Sequence, residues 1–533
     1  MPLTQIPRAY QLAIYNSIMQ NGNTLVVLPT GLGKTLIALM LIQKKLDERA
    51  HDVENKGKCL FLSPTKPLGK QHYVSVMKTL ELGEDVVALI SGEIPQKKRK
   101  IEYERASVII STPQTIHNDI ENKIFDPKTV SLVIFDECHR GIGKYAYTFV
   151  AEAMKDTALI VGLTASPGGK RERIKEVLDC LFLTNVEIRT HTDPDVAPYV
   201  QKSEVRTIFV DLSPALRVMK ERIGILISDH AQRMKDMGFP PPIKAKGLFM
   251  KMREKILGIQ HAMKYPLLLN YFALMNLLHM EELLETQGVH ALREYLKKFD
   301  EKDGKSAAAL KKRKEFGELV ALCETEEEHP KLGVLVNLFK NELSGKKAIV
   351  FAQYRSQIAK IVDELKKNGI NARQFVGKKD GVTRKIQEET IAEFRTGTFT
   401  VLVASSIGEE GLDIPAVDSV VFYEPIPSEI RSIQRRGRAG RFKEGEIIIL
   451  VTRGTRDEYY HWSSFNREKR MKKIITSMQG RKKIEGFDKE KKKIETKVEP
   501  QNSEPKSRNL EPKTRDSKPK TRKPGQTSLS SFC

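Results

Sequence analysis

The chain has 533 residues, with 90 Lys or Arg against 68 Asp or Glu, a formal charge of +22. At roughly 100–200 residues per domain, that length predicts three or four folding units rather than one. The positive surplus points to a polyanion, nucleic acid or an acidic membrane face, unless it is only a lysine-rich solvating surface.

The five cysteines, Cys59, Cys138, Cys180, Cys323 and Cys533, are odd in number and form no C-x-x-C pair, which argues against a zinc site or a disulfide framework and fits a reducing compartment. The N-terminus has no basic segment followed by an apolar one. The most apolar stretch, Pro266 to Leu278, is interrupted by Asn270 and Asn276. A soluble, cytoplasmic protein without a membrane partner is expected.

Short apolar runs at Leu25 to Leu28, Cys59 to Leu62, Val86 to Ile90, Val108 to Ser111, Leu132 to Phe135 and Leu159 to Leu163 alternate with helical patterns. Runs of that kind predict strands buried on both faces of a parallel sheet. The first is followed by Pro29-Thr30-Gly31-Leu32-Gly33-Lys34-Thr35 and an apolar helix from Leu36. Strand, glycine loop and helix N-terminus together make a phosphate-binding loop, although Leu28 stands where the general pattern has its first glycine. Lys34 is expected to meet the β and γ phosphates of ATP, Thr30, Gly31 and Gly33 to line them, and the Thr35 hydroxyl to ligate Mg²⁺. The fifth run leads into Asp136-Glu137-Cys138-His139. There Asp136 is expected to hold Mg²⁺ through water and Glu137 to polarise the attacking water as general base.

The segment from about Asp211 to Glu328 has helical patterns and few strand candidates. It opens on Ser213-Pro214, a helix cap with proline in the first turn. Its basic residues, Lys244, Lys246, Lys251, Arg253 and Lys255, then Lys311 to Lys314, predict contact with nucleic acid, or else solvated helix faces.

The α/β rhythm returns after His329-Pro330-Lys331 with runs at Ala348, Ala372, Thr400, Ser419 and Glu446. Within this second set lies Gln434-Arg435-Arg436-Gly437-Arg438-Ala439-Gly440-Arg441. Planar, permanently charged guanidinium groups suit Arg438 and Arg441 to reach the γ-phosphate across a cleft. The expected architecture is α/β, two parallel-sheet domains that resemble the RecA-like type (residues 1–205 and 329–475) with a mainly helical insertion (206–328). A tail (476–533) is expected to be disordered. From Gly480 onward it holds 16 Lys or Arg and 8 Asp or Glu, a net 16 − 8 = +8, with few large apolar residues.

The order of these elements resembles superfamily 2 helicases, over about Pro7 to Trp462. By that resemblance, Arg8 and Gln11 correspond to the adenine-recognising motif. Pro64, Thr65 and Lys66, with Thr112 and Pro113, correspond to the first domain's grip on the nucleic-acid backbone. Thr164 and Ser166 would couple hydrolysis to movement, Gln353, Arg355 and Ser405 would contact the strand, Gly411 and Asp413 would sense ATP, and Gln434 would join Arg438 and Arg441 in the catalytic set. The insertion and the His329-Pro330-Lys331 lead-in are similar to the group of archaeal Hef, the Fanconi-anaemia M translocases, Dicer and the RIG-I-type RNA sensors. The run from Asp136 to Tyr147 is most similar to Hef and the M translocases, notably after His139, whereas Cys138 is more typical of the RNA sensors.

A Hef-like reading implies remodelling of forked or branched DNA, with ATP and Mg²⁺ as cofactors. Open alternatives are an RNA helicase or RNA sensor, and a repair scaffold with incidental ATPase. Hef's nuclease and helix-hairpin-helix signatures are not found, so any cutting would come from a structure-specific nuclease acting in trans. The final Gln526, Leu529 and Phe532 resemble a peptide that docks on the replication sliding clamp, with Cys533 where that peptide ends in an aromatic.

Overall fold

The structure, a computed structural model, describes residues 4–51, 57–143, 145–168, 170–199, 203–260, 262–301, 304–324, 328–377, 382–405, 415, 417–425 and 445–478. The first α/β set forms a seven-stranded parallel sheet from β1 (Thr24–Val27), β2 (Lys58–Leu62), β3 (Val87–Ile90), β4 (Val108–Ser111), β5 (Val130–Asp136), β6 (Leu159–Thr164) and β7 (Asn185–Ile188), in the order β3-β4-β2-β5-β6-β1-β7. Its central strands bury nearly every side chain, because helices cover both faces: α1 (Ala9–Asn21), α2 (Lys34–His51), α3 (Lys66–Leu80), α4 (Gln96–Arg105), α5 (Pro113–Glu121), α6 (Ala146–Met154) and α7 (Arg171–Cys180). The order puts β1, β6 and β5 side by side, so three connecting loops meet at one carboxyl edge.

The insertion is all-helical among its described residues: α8 (Pro214–Asp236), α9 (Lys246–Leu257), α10 (Lys264–Gln287), α11 (Val289–Asp300), α12 (Lys305–Lys311) and α13 (Lys314–Leu322). Ser213 caps α8, accepting from the Leu216 N–H with Pro214 in the first turn. These helices share a hydrophobic core of their own, centred on Leu216, Ile223, Tyr271 and Leu277.

The second sheet contains β8 (Ser203–Val210), β9 (Ala348–Phe351), β10 (Ala372–Phe375), β11 (Val401–Ala404), β12 (Ser419–Phe422) and β13 (Gly445–Thr452), ordered β10-β11-β9-β12-β13-β8. It carries helices α14 (Pro330–Lys340), α15 (Arg355–Lys367), α16 (Arg384–Thr396) and α17 (Arg456–Met478). Two expectations need correction here. The boundary at residues 205/206 cuts through β8, which precedes the insertion in sequence but pairs in parallel with β13 along its whole length. The second sheet is therefore built from chain on both sides of the insertion. The helix α17 also runs to Met478, past the boundary at 475. The sequence reading missed β7 and β8 because neither presents an apolar run: β7 is Asn185-Val186-Glu187-Ile188, only partly buried. In β8, Glu204 and Arg206 alternate with Val205 and Thr207, and an edge strand half-open to solvent does not present an all-apolar run.

Candidate active site and nucleic-acid interface

The phosphate loop leaves β1 and turns on two glycines of positive φ, Gly31 (86°) and Gly33 (76°). The positive φ favours glycine at Gly33, and a Cβ there would stand 2.4 Å from Gln11 Nε2 and displace that amide from the loop. The loop is tied to α1: Tyr10 donates from its hydroxyl to the Leu32 carbonyl at 2.7 Å, and Gln11 Nε2 donates to the same carbonyl at 3.1 Å. Gln11 Oε1 in turn accepts from the Arg8 N–H at 2.8 Å, while the Arg8 guanidinium lies 4.8 Å above the Tyr199 ring. Arg8 and Gln11 are thus assembled beside the loop. Lys34 Nζ donates back to the Leu28 carbonyl at 3.0 Å, which holds the ammonium over the loop's interior. Thr30 and Thr35 are half-buried in the same turn, Thr35 within the first turn of α2.

Two strands away, Asp136 ends β5. Burial alone would raise its pKa. His72, bonded to Oδ2 at 2.8 Å, together with the Lys34 charge and the Glu137 N–H, outweighs that and holds the carboxyl below its ordinary value. Glu137 follows with φ at +48°, a left-handed conformation that a side chain rarely adopts. The turn aims its carboxylate back over the edge, where Oε2 lies 3.3 Å from His139 Nδ1. That nitrogen is 3.0 Å from Thr164 Oγ1, which also accepts the Ser166 N–H at 3.1 Å. Ser166 donates from its hydroxyl to Met471 Sδ of α17 at 3.0 Å. A continuous series of contacts therefore leads from Glu137 through His139, Thr164 and Ser166 to a helix of the second α/β unit. His72, His139, Tyr10 and Tyr147, whose hydroxyl donates to the Asp136 carbonyl at 2.7 Å, were not among the sequence-derived site residues. Only His139, adjacent to the carboxylates, carried a signal that could have found it.

Pro64, Thr65 and Lys66 meet Thr112 in one open pocket of about 500 Å³, whose rim is completed by Gln96, Gln114, Asn118 and Asn122. Thr65 and Thr112 are the N-cap positions of α3 and α5, with Pro67 and Pro113 in the first turns. Two helix N-termini opening on one polar pocket, with Lys66 at its mouth, suit phosphate oxygens. Lys66 is paired with Glu93 at 2.6 Å, at an exposed position. In the second unit, Gln353 is exposed at the end of β9 and donates its N–H to the Glu424 carboxylate. Arg355 donates to the Gly377 carbonyl at 2.6 Å, and Ser405 is buried just past β11.

Of the basic insertion residues, Lys244, Lys251, Arg253 and Lys255 are exposed. Arg313 instead bonds Asp229 at 2.5 Å and Glu315 at 3.2 Å, so part of that run serves internal pairing. Gly411, Asp413, Gln434, Arg438, Arg441, Gln526, Leu529 and Phe532 lie outside the described residues.

A glycine loop after β1, a carboxylate pair after β5 and a Thr-x-Ser turn after β6, all on one edge of a parallel sheet, define a phosphate-loop nucleotide-binding domain of RecA-like type. The DEAD/DEAH box helicase family matches residues 8–174 and the helicase conserved C-terminal domain family matches residues 330–443. The crystal structure of the Pyrococcus furiosus Hef helicase domain is 40% identical, with a TM-score of 0.68, over 86% of this chain and 98% of that one. The chain belongs to the superfamily 2 helicases and is similar to the Hef motor.

A Methanocaldococcus jannaschii protein, provisionally named an ATP-dependent RNA helicase, is 37% identical over 90% of this chain. The Schizosaccharomyces pombe ATP-dependent DNA helicase fml1 is 32% identical over 85% of it. The chain spans 62% of the first of these relatives and 58% of the second. No helix among the described residues is long and apolar enough to cross a membrane.

Proposed function

We propose that the chain is an ATP-driven helicase or translocase that remodels forked or branched DNA during replication-fork repair and recombination. The observation that supports this most directly is the meeting of Lys34, Asp136, Glu137 and Thr164 at one sheet edge, with a contact path from Glu137 to α17. Lys34 and the loop N–H groups bind the β and γ phosphates, and Arg8 and Gln11 face the adenine. Glu137 takes the proton of the attacking water, and His139 and Thr164 orient its carboxylate.

The residues fit a magnesium ion: Asp136 is kept ionised beside Lys34, so Asp136 and the Thr35 hydroxyl would hold the metal, which neutralises phosphate charge when bound. Arg438 and Arg441, with Gln434, complete the catalytic site as arginine fingers and their neighbour, and Gly411 and Asp413 sense the nucleotide. Pro64, Thr65, Lys66, Thr112, Pro113, Gln353, Arg355 and Ser405 grip the strand, and the insertion reads the branch. The C-terminal Gln526, Leu529 and Phe532 dock on the sliding clamp, and a nuclease in trans supplies cutting.

The deciding measurement is steady-state ATPase activity with single-stranded, duplex, forked and four-way-junction DNA and duplex RNA, at two salt concentrations. Strongest stimulation by forks and junctions is expected, and Glu137→Gln should bind ATP yet lose hydrolysis by about 10²–10⁴-fold. Stimulation by RNA alone would overturn the DNA assignment. A peptide of residues 524–533 that fails to bind the clamp by calorimetry would remove that partner.

A further inference from the structure

The helix α17 is amphipathic in an unusual sense, with one face buried and the opposite face aromatic yet open. Asp457, Ser464 and Met471, spaced by sevens, are the buried residues among those of the helix whose burial is described. Tyr459, Trp462, Phe465, Lys469 and Lys473 follow at steps of three, three, four and four, which places them along one other face. The three aromatics are 60%, 49% and 54% exposed, and both lysines are exposed. Trp462 and Phe465 meet edge to face with ring centroids 6.3 Å apart, so their rings are held by each other. Aromatic groups of this size are normally buried, and a strip of them ending in lysines marks an interaction surface.

We infer that this face of α17 binds unpaired nucleic acid, with exposed bases stacking on Tyr459, Trp462 and Phe465 and backbone phosphates meeting Lys469 and Lys473. Charge decides between occupants: lysines in line with the rings match a polyanion that also presents flat apolar faces, and an apolar helix would not need them. An intact duplex hides its base faces, whereas a single strand offers them, and stacking is tolerant of sequence.

The position agrees. The helix starts just beyond the carboxyl edge of the second sheet, and its Tyr460 and Arg456 lie within electrostatic reach of Tyr354, the residue between Gln353 and Arg355. Tyr460 and Arg456 lie toward the buried side of the helix, so the strip sits on the same helix but on the face turned away from Tyr354, and it rests on the motor reading. It adds a second contact, for the unpaired arm that branch opening releases.

Trp462 is the only tryptophan in the chain, so tryptophan emission reports on this strip alone. The full chain is titrated with oligothymidine, with blunt duplex and with inorganic polyphosphate. Oligothymidine should quench the emission, duplex should quench it less, and polyphosphate should leave it unchanged. With a labelled oligothymidine, Trp462→Ala should weaken binding about tenfold and Trp462→Phe should restore most of it. Lys469→Ala with Lys473→Ala should flatten the slope of log affinity against log salt by about 1.4. An unchanged thermal midpoint in each variant confirms that the fold is intact.

Emission that stays constant while a strand stimulates hydrolysis would overturn the strip and leave the motor standing. Quenching without stimulation would support the strip and sink the motor reading, and neither signal would sink both. Emission that shifts with protein concentration alone, and not with oligothymidine, would overturn the proposal in favour of contact between copies.

Discussion

Asp136 and Asp457 both lie just at or beyond the carboxyl edge of a parallel sheet, and both are buried against a basic side chain, yet their surroundings differ in kind. Asp136 is bonded by His72, lies near the Lys34 charge and is followed by a residue in a left-handed turn. Asp457 is sealed: it is paired with Lys331, neither side chain reaches solvent, and the Thr452 N–H and hydroxyl donate to it at 3.2 and 3.1 Å. A buried charge closed in on every side anchors architecture, while one facing a loop whose cations can turn toward a ligand is placed for chemistry.

Around Asp457 the anchoring extends to the insertion. His329 donates from Nε2 to the Glu285 carbonyl at 3.0 Å and accepts the Lys331 N–H at Nδ1, while Glu285 pairs with Lys220 at 2.7 Å and accepts the Arg456 N–H at 2.9 Å. Gly288 has φ at +86°, and a Cβ there would stand 2.8 Å from that of His329. The His329-Pro330-Lys331 segment is therefore the fastening between the insertion's long helix and the second sheet.

The largest effect expected from this contrast is on stability. Lys331→Met would leave the Asp457 carboxylate buried without its cation and cost about 3–5 kcal/mol in denaturant unfolding, with most of the loss recovered by adding Asp457→Leu. A loss below about 1 kcal/mol would mean that the pair is not sealed from water.

Next comes His329. Burial, with the Lys331 charge beside it, pushes its pKa down to about 3, so the folded chain resists a proton that the unfolded chain accepts near 6.5. Its stabilising contribution is complete above about pH 6.5 and declines as pH falls toward 3, by about 2 kcal/mol between pH 7 and 5. His329→Gln should flatten that part of the stability profile, and an unaltered profile would contradict the assignment.

Asp136 gives a smaller change at lower pH. Its folded pKa is depressed, so its contribution is present above about pH 3.9 and disappears as pH falls through the folded value. Removing the imidazole in His72→Leu leaves burial less opposed. The variant should trail the wild type by about 1.5 kcal/mol at pH 6, and the gap should close below about pH 4. A gap that widened on acidification would reverse the assignment.

The smallest change is expected at the exposed Lys66–Glu93 pair. Glu93→Gln should tighten strand binding by less than about 1 kcal/mol, within about fivefold, because solvent already screens the pair. Weaker binding would show that Glu93 orients Lys66 instead of competing for it.

The amino-acid sequence by itself determined the local, short-range features. The phosphate loop, the carboxylates after β5, the Ser213-Pro214 helix start and the central strands could be read from contiguous residues, because buried parallel strands and helix caps have compact signatures. Only the tertiary structure decided which distant residues complete them. His72 reaches Asp136 from α3, Ser166 meets Met471 from 305 residues away, and β8 joins a sheet whose other strands begin more than a hundred residues later. Such partners are chosen by packing in three dimensions, where sequence separation carries no information. An edge strand or a lone histidine shows its role only once its neighbours are in place.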